Sequence, residues 1–414
     1  MLGIVAAALG VEAGGSASWL TLIGPRSLHG SLAVTRGSTA GGYDAAGSYL
    51  ELAASQPRFD ASGGLIVEEA RTNAIRNPRM EGAVAGSPGT VPGYWTVTAI
   101  TGLTRTLSTG VEAGAPYLDC NFAGTSTAAG YCVVMPEQVG AAAAVAGQSW
   151  TCAMNIALVA GSLPSGGNLR LRMQERGGDS SPATDAGIIA TAAAQRVACT
   201  RTLTVGGTTS IVPSVLAYVP SGVAMNFTLR VSLPQLEQAT FATTPVLPPA
   251  GSRVAQTRAA DQLLCQPAGG YGGSGTLLVA ASLPQASPAG LPQGLWQIDD
   301  GTDANRLILR NTGTALTAEI ERGGASGAVM ALGSMVPGTA FRAAFAWAPG
   351  SQSACMTGGA IQTAAATLPA GLARLLPGHG SGGWNRALNG SVRLLQYLPS
   401  RLPDTQLQGL VNQS

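Results

Sequence analysis

The chain has 414 residues, enough for two or three domains, with 57 glycines, 25 prolines, 11% charged residues and 5% aromatic residues. Glycine at roughly twice its usual share argues against long packed helices, while an apolar content of 45% excludes a disordered polypeptide. All 23 basic residues are arginine, the formal net charge is +2 and no basic block occurs, so a nucleic-acid partner is not expected.

Met1–Val11 is apolar but has no basic n-region, and reads as a buried first segment rather than a signal peptide. No apolar run reaches the roughly 18–20 residues of a membrane span. Residues 1–75 read as an irregular, Gly-rich leader ending in the short apolar strand Gly64–Val67. From 76 to 248, strand-like runs follow one another between Gly, Pro and Ser clusters: Tyr94–Ala99, Tyr131–Met135, Ser149–Leu158, Asn168–Gln174, Gln195–Thr204, Val212–Tyr218 and Met225–Leu233. Leu169, Leu171 and Met173 alternate with Arg170, Arg172 and Gln174, the period of a half-buried strand. Short strands with turn signals between them predict a β-sandwich.

Residues 249–274 read as a linker, with Gly269–Gly275 as a flexible hinge. From 275 to 414 the strand rhythm resumes over Thr276–Ser282, Gly294–Asp299, Arg306–Asn311, Ala315–Arg322, Ala328–Leu332, Ala340–Ala348, Ser353–Met356 and Ser391–Leu398. Asp-Gly, Gly-Gly and Pro-Gly pairs between them supply the positive-φ positions that tight turns need. Asp404–Val411 is the one predicted helix, with Pro403 at its N-terminal end and Leu407, Leu410 and Val411 on one face. The expected fold class is all-β: two antiparallel β-sandwich (jelly-roll) domains after an irregular leader.

Three stretches carry a resemblance. Val34–Ala40 with Tyr43-Asp44, then Pro57-Arg58-Phe59-Asp60, then Leu65–Asn73 resemble, in that order, a leader found in structural proteins of tailed bacteriophages and gene transfer agents. Asn77-Pro78 with Glu81 and Tyr94-Trp95 resembles the opening of a carbohydrate-binding-module-like jelly roll, with Met80 in place of the usual aromatic. Leu233–Glu237, Ala242–Pro245 and Thr257–Asp261 are similar to its exit. Asp300-Gly301 with Asn305–Leu307, Ala340–Trp347, and Leu388–Arg393 with Tyr397–Leu402 resemble a concanavalin-like (laminin-G-like) lectin domain. The resemblance implies a tail fibre or head spike, assembled in the bacterial cytoplasm and carried on the virion. It implies a homo-oligomer, often a trimer, attached to other virion proteins through the leader and binding host surface polysaccharide. A purely structural particle component and a capsule-degrading spike are the alternatives.

No catalytic constellation is visible, so an enzyme is not expected. Glu68 and Glu69 are adjacent strand residues pointing to opposite faces. With only His29 and His379 in the chain, a Ser/His/Asp site has little to draw on. No cofactor is expected. A structural Ca²⁺ could use Asp299, Asp300 and Asp303, which otherwise read as a hairpin turn, or, on the resemblance, Glu81 and Glu237. The cysteines have no CxxC spacing and read as small buried hydrophobes, Cys152 and Cys199 being the pair that a disulfide could join.

Sugar binding calls for exposed aromatic faces beside amide and guanidinium groups. Trp95 and Trp347 read as core and Trp150 as ambiguous. Trp384 lies in the polar, Gly-rich loop 377–386 beside His379, Asn385 and Arg386. There an indole serves a ligand, tucks onto the sheet or meets another subunit. The candidate carbohydrate contacts are therefore Trp384, His379, Asn385, Arg386 and Tyr271.

Overall fold

A computed structural model describes residues 18–413, so the Met1–Val11 segment lies outside the described residues. The described residues are all-β apart from the helix Asp404–Val411, and the chain divides into two compact units. One holds Ser48–Leu50 and Arg71–Arg258, the other residues 18–47, Glu51–Ala70 and 259–413.

The unit containing Arg71–Arg258 is a sandwich of two five-stranded antiparallel sheets. One runs Gln195–Thr202, Ser149–Gly161, Ala224–Glu237, Ala115–Thr125, Leu103–Glu112. The other runs Ala183–Ile188, Asn168–Arg176, Ser210–Val219, Gly130–Met135, Thr96–Thr98. Alternation drives the packing: Leu118, Cys120 and Phe122 of one sheet and Leu169, Leu171 and Met173 of the other share a single buried core with Trp95 and Trp150. The long hairpin Leu103–Glu112/Ala115–Thr125 carries no clear signal in the sequence, because its exposed Thr, Ser and Arg positions hide the period-2 pattern.

The other unit is a larger sandwich. One sheet has the path Ser27–Leu28, Leu20–Gly24, Gly390–Leu398, Gly275–Ser282, Ala340–Ala348, Ser351–Met356, Gln362–Ala364. The facing sheet is seven-stranded, in the order Ala325–Ser334, Ala315–Arg322, Arg306–Thr312, Gln293–Asp299, Arg374–Pro377, Gln262–Cys265, Leu32–Thr35. Trp296 stacks on Phe345 at 5.8 Å in a core that also holds Trp347. The helix buries Leu407 and Val411 in a smaller cluster with Leu278, Ala344, Ala346 and Cys355.

From residue 18 onward the N-terminal segment contributes strands to this sandwich. Leu20–Gly24 and Leu65–Val67 both pair with Gly390–Leu398, and Leu32–Thr35 pairs with Gln262–Cys265. Leu22, Ile23, Leu65 and Val67 are buried, so these short apolar strands are part of the second sandwich. Within 249–274, Gln262–Cys265 lies inside the seven-stranded sheet.

The motif residues that carry the resemblance converge inside this unit. Arg36, Arg58, Glu68 and Asp261 are all at most 6% exposed. Asp261 accepts from Arg36 Nη1 at 3.0 Å and from Arg58 through both carboxylate oxygens, while Arg58 Nη2 donates to Glu68 at 3.0 Å. The backbones reciprocate: Glu68 N–H donates to Asp261 Oδ2 and Asp261 N–H donates to the Glu68 carbonyl, each at 3.0 Å. Arg36 also binds the carbonyls of Ser38, Ala53 and Gln56, and Arg58 that of Gly41. Burial opposes the Arg58 charge, but Asp261 and Glu68 outweigh it and raise the guanidinium pKa.

Candidate functional site

The loop 378–389 leaves the strand Arg374–Pro377 and returns at Gly390–Leu398. Two glycines fix its path. Gly378 has φ +71° and lies against Val67, and a Cβ on Gly294 would sit 2.1 Å from the backbone of His379 and Gly380. The loop is tied to the hairpin loop 300–305 through Asp303, whose carboxylate accepts from the Ser381 hydroxyl and from Gly382 N–H, both at 2.7 Å. Arg306 donates to the Gly380 carbonyl at 3.1 Å.

His379 is fully buried, with its ring edge-on to Trp384 at 4.8 Å. Neither ring nitrogen makes a well-formed hydrogen bond. Burial lowers its pKa to about 4, with Asp261 counteracting in part, so the imidazole is neutral at physiological pH. It props the half-buried Trp384 and does not face solvent. Trp384 itself has φ +61°, an uncommon backbone for an indole residue, which the loop's hydrogen bonds enforce. Tyr271 is 1% exposed, donates its hydroxyl to the Cys265 carbonyl at 3.1 Å and packs edge-on against Tyr397. It is a core residue and not a sugar platform, because the Gln262–Cys265 strand draws the following turn into the sandwich.

Asn385 and Arg386 are accessible and line a cavity of about 60 Å³ with Glu69, Gln293, Leu291 and Pro292. Of the five sequence candidates, the structure therefore leaves Trp384, Asn385 and Arg386 at the surface, with His379 as support and Tyr271 apart.

A second constellation lies on the outer face of the first sandwich. Register places Tyr131 directly opposite Tyr218 and Asn168 opposite Tyr218 on the other side. The two tyrosine rings meet at 5.5 Å, and Arg170 lies 5.3 Å from the Tyr131 ring centre. Asp185 binds Arg172 through both oxygens at 2.7 and 2.9 Å and Arg170 at 2.9 Å, and Asn168 accepts from Arg170 at 2.8 Å. Arg172, aided by Arg170, lowers the Asp185 pKa to about 2. Two arginines against one aspartate leave the patch cationic. The Arg170/Arg172 alternation is legible in the sequence, but the tyrosines, 87 positions apart, are joined only by strand register.

The carboxylates considered for Ca²⁺ are occupied by donors. Asp299 is buried against Arg374, Gln297 and Gly301 N–H; Asp303 binds Gln297, Ser381 and Gly382. Glu237 takes the N–H and hydroxyl of Thr243, and Glu81 takes Gly251 N–H. Among the described residues no group of three His, Cys, Asp or Glu side chains is placed to hold a metal. Glu68 and Glu69 separate, one into the ion-pair cluster and one onto the cavity wall. Cys152 and Cys199 face each other across neighbouring strands as free, buried thiols, and burial pushes the Cys152 thiol pKa up.

No protein-family model matches the chain, and no curated protein matches it. Among solved structures, the chain is similar to the CBM40 of the Ruminococcus gnavus IT-sialidase at 17% identity and a TM-score of 0.29, over 34% of this chain and 83% of that one. It is also similar to the CBM22-1-CBM22-2 tandem domain from Paenibacillus barcinonensis Xyn10C at 13% identity and a TM-score of 0.25, over 77% of this chain and 98% of that one.

Proposed function

We propose that the chain is a virion-surface appendage protein, a tail fibre or head spike of a phage or gene transfer agent, that binds host cell-surface polysaccharide. The observation that carries the binding half is the Tyr131/Tyr218/Asn168/Arg170/Arg172 patch. Three neighbouring strands, Gly130–Met135, Ser210–Val219 and Asn168–Arg176, carry two aromatic rings, an amide and two guanidinium groups on one face, the mixture that pyranose C–H faces, hydroxyls and acidic substituents require. The appendage half rests on the order of the leader motifs. Since Arg36, Arg58 and Glu68 are enclosed, attachment to other virion proteins through the N-terminal segment falls to its exposed residues. The protein acts as a homo-oligomer, a trimer, assembled in the cytoplasm and carried on the particle. Retention of the full chain on immobilised host capsule tests the reading: wild type is retained and a Tyr131→Ala/Tyr218→Ala variant elutes early. Absence of retention for the wild-type oligomer would leave the purely structural role, and new reducing ends on incubation with capsule would favour a degrading spike.

A further inference from the structure

Cys152 and Cys199 stand in a relationship that no other cysteine of the chain shares. They are directly opposed in the ladder between Ser149–Gly161 and Gln195–Thr202, with Thr151 facing Thr200 on one side and Ala153 facing Ala198 on the other. Directly opposed residues of antiparallel strands have Cα atoms about 4.5–5.5 Å apart and side chains on one face, inside the roughly 4.4–6.8 Å that a disulfide spans. The remaining cysteines stand opposite other residue types. Cys120 faces Leu107 and Leu229, Cys132 faces Ala217, Cys265 faces Leu375 and Leu32, and Cys355 faces Ala344. Both members of the opposed pair lie in the core of their sandwich, 0% and 3% exposed. Cys199 Sγ donates to the Thr184 carbonyl at 3.3 Å, a weak bond that oxidation would surrender.

Gln195–Thr202 is an edge strand, and among the described residues its one ladder partner is Ser149–Gly161; Ala183–Ile188 is the edge of the facing sheet. The chain between the two cysteines carries Asn168, Arg170, Arg172 and Asp185 of the outer-face patch. A bond between Cys152 and Cys199 closes this stretch into one loop and fastens its last strand to the sheet. Burial raises both thiol pKa values, so the closed fold holds neutral thiols and oxidation proceeds through opening of the edge strand. We propose that Cys152 and Cys199 are a modification site, oxidised to a cross-strand disulfide when the chain meets an oxidising medium. The oxidant is a low-molecular-weight disulfide. One exposed thiolate attacks it, releasing one thiol and leaving a mixed disulfide, and the second cysteine displaces the other half. Two S–H bonds are lost and one S–S bond forms, while the S–S bond of the oxidant is reduced to two thiols that take up the two protons. Outside a cell, where disulfides persist, the bond holds the segment that bears the patch. It does so whatever the patch binds.

The test exposes the full chain, purified in a reducing buffer, to oxidised glutathione in mild urea, then denatures it, alkylates it with N-ethylmaleimide and maps the peptides. Before oxidation all six cysteines should be alkylated. Afterwards all but Cys152 and Cys199 should be, and these two should be recovered as one linked peptide pair. With the urea removed, the thermal transition of the unit containing Arg71–Arg258 should lie at least about 5 degrees higher in the oxidised chain and return on addition of dithiothreitol. Cys199→Ala, compared with itself before and after glutathione, should show no such rise whatever its starting midpoint. Alkylation of both Cys152 and Cys199 after prolonged oxidation, a bond to a different cysteine, or a midpoint that the bond leaves unmoved or lowers would each overturn the proposal.

Discussion

Arg58 and Asp261 stand 203 positions apart in sequence and form a fully enclosed two-contact ion pair, with Glu68 and Arg36 completing a neutral set of two cations and two anions. Each of the four belongs to a different short motif, so the motifs that look like separate signatures are the four sides of one buried junction. The junction fastens the N-terminal segment to the stretch after Arg258, where Gln262–Cys265 and Leu32–Thr35 pair. Its charges cannot serve a partner, which moves any docking role of this segment to other residues.

Removing one member of such a set leaves an uncompensated buried charge. Arg58→Ala is expected to destabilise the unit of residues 18–47, Glu51–Ala70 and 259–413 by about 3–5 kcal/mol. The unit of Arg71–Arg258 should be spared. Calorimetry should show one transition falling by many degrees and another unmoved; two unchanged transitions would show the cluster to be energetically idle.

Strands with clean alternation or long apolar runs are legible in the sequence: Ala315–Arg322 and Ala340–Ala348, like the helix Asp404–Val411, match the structure at both ends. What depends on register is not legible there. Nothing local distinguishes Leu20–Gly24 or Leu32–Thr35 from a loose leader, because their partners lie more than 200 residues away. The same applies to the candidate sites. Trp384, Asn385 and Arg386 are legible because a polar loop holds them together in sequence. Tyr131 and Tyr218 are not, since only the Gly130–Met135/Ser210–Val219 pairing brings them face to face. Tyr271 misleads because Gly-rich flanks suggest exposure, whereas the ring is drawn into the core by the strand before it.

Gly294 has no room for a side chain, since a Cβ there would meet the His379 and Gly380 backbones at 2.1 Å. Gly294→Ala must therefore displace the loop carrying Trp384, Asn385 and Arg386 or distort the strand Gln293–Asp299. The expected cost is about 2–4 kcal/mol. Gly290→Ala has no atom within 4 Å to meet but sits at φ +71°, so it should cost about 1 kcal/mol. Urea unfolding of the two variants separates a steric requirement from a backbone one.

His379 makes stability depend on pH in a window of its own. Its native pKa is about 4, below the roughly 6.5 of an unfolded histidine. Below pH 6.5 the unfolded chain takes up a proton that the native ring refuses, so stability is full above 6.5 and falls as the pH drops toward 4, by up to about 3 kcal/mol. The depressed carboxylates behave differently. Asp185, held near 2 by Arg172 and Arg170, contributes stability that is full above about pH 4 and is lost progressively as the pH falls from about 4 to about 2. Urea unfolding between pH 7 and 4.5 should show a slope in wild type that His379→Phe removes. An identical slope in the variant would assign the dependence to other groups.

The outer-face patch makes the sharpest demand on the proposed function, because its parts can be removed one at a time without opening the core. Tyr131 and Tyr218 are only half-buried, and their loss is expected to lower overall stability by no more than about 1–2 kcal/mol. Loss of a stacking ring should nevertheless weaken polysaccharide binding about tenfold, by the magnitude of a well-placed aromatic contact. Arg172→Ala acts by a second route. It leaves Asp185 to Arg170 alone, reduces the local charge from two cations and one anion to one of each, and should weaken binding of an acidic polymer while sparing a neutral one. Repeating the measurement at high salt distinguishes the two routes: the tyrosine deficit should persist, and the Arg172 deficit should shrink as screening already weakens the wild type. Salt-insensitive binding to the acidic polymer would mean that the arginines only order the strand edge and that the rings carry the contact alone.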